Sequence, residues 1–144
     1  MLDHAVFREY PDLAPLSTEE RAVAIVKAFS ERGGDLVADW LRVGYTQGNF
    51  NSDNCLVGGR TMDYGPFGFI EDFNPTWNMW HGGGEHFSFM SQPKAMARNI
   101  QTFSEALLPL VKGTPQEAEL RAAISAIPAV IQDRCTRVRD TQER

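Results

Sequence analysis

Residues 47–69 read QGNFNSDNCLVGGRTMDYGPFGF, running from Gln47 through Asn54 and Asp63 to Phe69. The first eight hold Asn49, Asn51, Asp53 and Asn54 around a single apolar residue, Phe50. Short apolar runs follow, Cys55-Leu56-Val57 and Thr61-Met62, with Gly58-Gly59 between them. Glycine pairs between short apolar runs mark tight turns between strands, so a two-strand ribbon is predicted over 55–62. A loop rich in Asx residues leads into it over 47–54, and a glycine- and aromatic-rich turn leaves it over 63–69.

The flanks are helical in pattern. Ser17 and Glu20 form a capping box ahead of a run with Val23, Val26, Phe29, Leu36, Val37, Trp40 and Leu41 at helical spacing, which predicts one helix over about 18–43. Gly33-Gly34 weakens it and offers a break. After the ribbon, residues 70–92 carry Asn74-Pro75, Gly82-Gly83-Gly84 and the rings of Phe73, Trp77, Trp80, Phe87 and Phe89. This segment is read as irregular structure, and the aromatics of 64–91, from Tyr64 through Phe67 and Phe69 onward, are read as core. Pro93 opens a predicted helix through Val111, Thr114-Pro115 precedes another running to about Ile127, and Pro128 begins or kinks a last one. The predicted fold is therefore mainly α with a small β-ribbon, in one domain over 1–144, and the polar end RCTRVRDTQER reads as continuing beyond residue 144.

Composition narrows the function. A net charge of −5 disfavours a nucleic-acid surface or a polybasic membrane patch, and no apolar run approaches the roughly 20 residues that span a bilayer. Cys55 and Cys135 lack C-x-x-C spacing, so neither a zinc site nor a disulfide framework is indicated. The start MLDHAVFREYPDL has no apolar core of targeting type.

Asn54 and Asp63 are oxygen donors of the kind that hard divalent cations take. In protein kinases a catalytic-loop Asn and the Asp of an Asp-Phe-Gly turn hold metal, while an Asp five residues before that Asn accepts the hydroxyl proton. Laid on this chain, the template puts Asp63-Tyr64-Gly65 at the turn and Asn49, which has no useful basicity, at the base position. Asp53 is then the candidate base, as the only carboxylate between Asp39 and Asp63. Other readings stand beside this one. Asn-Ser-Asp-Asn also makes Asx turns. Asn49, Asn51 and Asp53 match calcium-loop positions 1, 3 and 5, but Asn54 and Arg60 occupy the places of the required Gly and Glu. The three glycines at 82–84 lack the Lys of a phosphate loop, and His81 and His86, five apart with Glu85 beside one of them, lack a third zinc ligand. Arg60 is read as solvated, with phosphate contact as the alternative.

The stretch Gly44 to Pro93 resembles the selenoprotein O (SelO) family of protein adenylyltransferases, which have a protein-kinase-like fold. The most specific residues are Asn51-Ser52-Asp53-Asn54 and Asp63-Tyr64-Gly65-Pro66-Phe67-Gly68-Phe69. The resemblance implies transfer of AMP from ATP to protein Ser, Thr or Tyr hydroxyls, with Asp53 as proton acceptor, Asn54 and Asp63 holding Mg²⁺ or Mn²⁺, and Asp63 also against ATP. It implies a kinase-like C-lobe with a catalytic loop at 47–54, an Asp-Phe-Gly-like turn at 63–69, an activation-type segment at 70–92 and helices over 93–144. It implies a cytoplasmic bacterial or a mitochondrial eukaryotic protein, without nucleic acid or membrane as partner. Many relatives have His-Gly at the place of Gln47-Gly48, and the family's glycine-rich segment, Lys and Arg phosphate ligands have no counterpart in 1–44. The expectation is a C-lobe fragment, inactive alone, in which Cys55 and Cys135 carry no redox role. A non-catalytic pseudokinase-type domain that binds metal or a regulatory partner is the alternative.

Overall fold

A computed structural model describes residues 1–62, 67–79 and 85–142. Three long helices carry the fold: α2 (Thr18–Val43), α3 (Gln92–Glu105) and α5 (Gln116–Gln142), with short α1 (Leu2–Glu9) and α4 (Leu108–Val111). Strand β1 (Tyr45–Gln47) pairs antiparallel with β4 (Phe67–Phe69), and β2 (Cys55–Leu56) pairs antiparallel with β3 (Arg60–Thr61). The mainly helical class with a small ribbon matches the prediction. No helix among the described residues is long and apolar enough to cross a membrane.

Helix α2 starts where Ser17 caps it, its side chain accepting from Glu20 N at 3.3 Å, and ends at Gly44 in the left-handed region, φ 76°. The break at Gly33-Gly34 does not occur. The two glycines serve packing instead, because they let the neighbouring helices approach α2 closely. A Cβ on Gly33 would meet Met96 Cε at 2.8 Å, and one on Gly34 would meet Arg134 Cγ at 2.9 Å and Ile131 Cα at 3.3 Å. Met96 ends in a flexible thioether that can move, whereas the α5 backbone at Ile131 cannot do so without shifting the helix. Gly34→Val is therefore expected to destabilise the chain by about 1–3 kcal/mol, measured as a fall in urea midpoint, and Gly33→Ala by less.

Helix α5 also runs through its predicted break. Pro128 removes one backbone donor, but Leu120, Ala123, Ile127 and Ile131 form one buried stripe that holds the segments on either side in line. Over 93–111 the single predicted helix divides into α3 and α4 around Ala106-Leu107. The reading of the 64–91 aromatics as core is corrected. Phe89 is buried, but Phe67, Phe69 and Phe73 are 47%, 58% and 73% exposed, while Tyr64 and Trp80 lie outside the described residues. Strand β4 has one sheet neighbour and rests its rings on one residue of it, Tyr45, at centroid distances of 5.7 and 5.4 Å, so a face of each remains open.

Candidate functional site

The turn carrying Asp53 follows from which side chains around it are apolar or amide. Phe50 is fully buried and meets Trp40 of α2 edge-on, with ring centroids 4.8 Å apart. Four residues later Asn54 is buried as well. Between these two anchors a single 3₁₀ turn, Ser52–Asn54, brings Ser52 and Asp53 to the surface. The Asn54 side chain donates through Nδ2 to the Asn49 carbonyl at 2.7 Å. A carbonyl requires the nitrogen end of the amide, so Oδ1, the atom a hard cation would use, points the other way. The Asn54 backbone carbonyl accepts from Met62 N at 2.9 Å and from Thr61 Oγ1 at 3.1 Å, which ties the turn to the end of β3.

Two amides of α3, absent from the sequence reading, hold the loop from behind. Gln92 is fully buried; its Oε1 accepts from Gln47 N at 3.0 Å, and its Nε2 donates to Tyr45 O at 2.9 Å and Phe89 O at 3.1 Å. The side chain thus replaces the peptide group of a missing neighbour strand along the second edge of β1. Asn99 donates to Phe50 O at 3.0 Å. Gln47 adds a side-chain bond from Nε2 to Thr61 Oγ1 at 3.1 Å, so Gln92, Gln47, Thr61 and Asn54 form one connected network. The only sequence signal for Gln92 was its place before Pro93, which marks a helix start and says nothing of where the amide points.

The ribbon is fastened from the other side by α1 and the residue after it. Tyr10 Oη donates to Val57 O at 2.6 Å, and the Arg60 guanidinium pairs with Glu9 at 2.8 Å, so Arg60 is an ion-pair partner rather than a purely solvated residue. Arg32 lies 4.2 Å above the Tyr10 ring. Burial pushes the Tyr10 hydroxyl up to about 12 against the opposing charge of Arg32.

Cys55, next to Asn54, sits against Met96 with 3.7 Å between sulfurs. Burial pushes its thiol up to about 12, with a hydrogen bond to Asn99 opposing the rise. The folded chain keeps this proton between pH 9 and 12, where the unfolded chain sheds it, so its contribution to stability is full below pH 9 and is lost as pH rises towards 12. Because thiolate is the reactive form, iodoacetamide at pH 8 is expected to alkylate Cys55 at least about a hundredfold more slowly than in the urea-unfolded chain, as followed by peptide mass spectrometry.

Of the residues singled out from sequence, the structure sets Asn49, Phe50, Asn51, Asp53 and Asn54 in one turn, whereas Asp63 and His81 lie outside the described residues. Asp53 is solvent-facing, beside the buried Asn54 amide, whose nitrogen end is held by the Asn49 carbonyl. Among the described residues no three His, Cys, Asp or Glu side chains gather as a metal set. An amide oxygen such as that of Asn54 suits magnesium or manganese, whereas zinc is held by Cys, His and carboxylate ligands.

The family model described as Protein adenylyltransferase SelO matches residues 1–136. The chain belongs to the SelO family. Within it, the chain is similar to a Protein nucleotidyltransferase YdiU from Xanthomonas campestris pv. campestris (strain B100), 38% identical over 111 residues that cover 76% of this chain and 21% of the relative. It is also similar to proteins of the same name from Bradyrhizobium sp. (strain BTAi1), 36% identical over 92% of this chain and 27% of the relative, and from Rhodococcus jostii (strain RHA1), 34% identical over 93% and 26%. The chain thus spans about a quarter of the length of these SelO relatives.

Proposed function

We propose that this chain supplies the proton-accepting and metal-holding part of a SelO-type transferase that moves AMP from ATP onto protein Ser, Thr or Tyr hydroxyls. Supporting this reading is the split between neighbours in the Ser52–Asn54 turn, which offers an exposed carboxylate at Asp53 and a buried, oriented amide oxygen at Asn54. A carboxylate held at the surface can reach the hydroxyl of another protein. There Asp53 takes the hydroxyl proton as the oxygen attacks the α-phosphorus of ATP; the new O–P bond replaces the bond to the β-phosphate oxygen, and pyrophosphate leaves. Asn54 and Asp63 would hold Mg²⁺ or Mn²⁺, which neutralises charge developing on the phosphate oxygens. The Asn54 amide fits that task in that its nitrogen end is taken by the Asn49 carbonyl, which leaves Oδ1 as the end to bind a cation.

The sequence of elements supports a kinase-like C-lobe: a long helix α2, the Asp53 loop, the β2–β3 ribbon, an irregular segment and α3. Because about three-quarters of the relative's length lies outside the matched segment, the test uses a chimera in which residues 1–136 replace the matching segment of the Rhodococcus relative. With ATP, Mg²⁺ or Mn²⁺ and an acceptor protein, intact-mass measurement is expected to show AMP added. Addition of phosphate alone, or no addition while the parent relative is active, would sink the reading. The 144-residue chain by itself is expected to transfer far more slowly than the chimera.

A further inference from the structure

A cleft of about 580 Å³ lies directly beside the Asp53 turn. Phe50, Asn51 and Ser52 wall it on one side, and Lys94, Arg98 and Thr102 of α3 on the other. Lys94 and Arg98 are four residues apart on one helix, hence on one face, and both are exposed. The ion pairs among the described residues engage other arginines, from Arg21 to Arg139, and neither of these two cations takes part. The same two side chains also border a second cleft, of about 490 Å³, whose apolar lining includes Pro93, Ala97, Pro128 and Ile131. They therefore form a positive ridge between two partly apolar depressions.

We propose that this ridge binds an acidic stretch of the acceptor protein, placing its carboxylates on Lys94 and Arg98 and its hydroxyl-bearing residue at the Ser52–Asp53 end of the first cleft. This assignment rests on the reading that the acceptor is a protein. An extended chain suits the shape, since it can cross the ridge and set side chains into both depressions, whereas a single phosphate would use only one point on it. Charge also limits how the attraction works. The chain carries −5 overall and repels an acidic protein at long range, so recognition acts only within roughly 8 Å of the two cations at physiological salt.

The test needs no transfer reaction. Fluorescence anisotropy would follow the 144-residue chain binding a labelled peptide of alternating Glu and Ala around one Ser, and the same peptide with Lys for Glu. The acidic peptide is expected to bind about tenfold more tightly, losing that advantage at high salt. Joint replacement Lys94→Glu with Arg98→Glu is expected to reverse the preference, and the unfolding midpoint shows that the variant still folds. Equal binding of both peptides, no binding of either, an unchanged preference in the double variant, or displacement of the acidic peptide by ATP would each overturn the proposal. Failure of these arms leaves Asp53-dependent transfer by the chimera standing, and failure of transfer leaves the peptide result standing.

Discussion

Asp53→Asn is expected to lower AMP transfer by the chimera by roughly 10²–10⁴-fold, the range a positioned general base contributes. The substitution keeps the shape of an exposed side chain that makes no described hydrogen bond or ion pair, so the fold has little reason to change. Most of the loss should fall on kcat, because the carboxylate acts as the hydroxyl proton leaves and contributes little to holding ATP. Asn54→Ala should behave differently. It removes the amide oxygen proposed for the metal and also the 2.7 Å bond to Asn49 O, so more Mg²⁺ or Mn²⁺ should be needed for half-maximal rate. Unchanged transfer by Asp53→Asn would remove Asp53 from the reaction. An equal metal requirement in Asn54→Ala would remove Asn54 from metal binding.

Gln92→Leu carries the largest expected loss of stability, about 3–5 kcal/mol, read from urea unfolding. Leucine has similar volume but no polar atoms. It leaves the Gln47 N–H and the carbonyls of Tyr45 and Phe89 without their buried partner, and each orphaned group costs about 1–3 kcal/mol. Gln92→Glu separates hydrogen bonding from packing, since it keeps an acceptor for Gln47 N but sets a carboxylate oxygen against two carbonyls. It should also destabilise the chain, most at neutral pH where that carboxylate is ionised. If Gln92→Leu unfolded at the midpoint of the unsubstituted chain, the clamp on β1 would contribute nothing to the fold.

The ribbon over 55–62 was legible because Gly58-Gly59 leaves little choice about where the chain turns, and Gly59 indeed adopts φ 78°. The β1–β4 pairing was not legible. Its strands have three residues each and pair across the whole 48–66 excursion, a distance over which no local pattern operates. Glycine and proline misled in the helices for a related reason. Their propensities are local costs of about 1 and 3 kcal/mol, and at Gly33, Gly34 and Pro128 the packing of α2 against α3 and α5 outweighs them. For the rings of Phe67 and Phe69, apolar character was taken for burial, although a strand with one sheet neighbour cannot cover both faces of its side chains.

At the candidate site the division is similar. The choice of Asp53, Asn54 and Asp63 as candidates rests on their identity and spacing, and family membership follows from the sequence alone. Exposure of Asp53, the direction of the Asn54 oxygen, the Gln92 clamp and the Lys94–Arg98 ridge came only from the tertiary structure. Chemical type is a property of one residue and survives in the chain as a letter. The direction of an amide, and whether a charge finds a partner, depend on atoms brought near by folding from dozens of residues away.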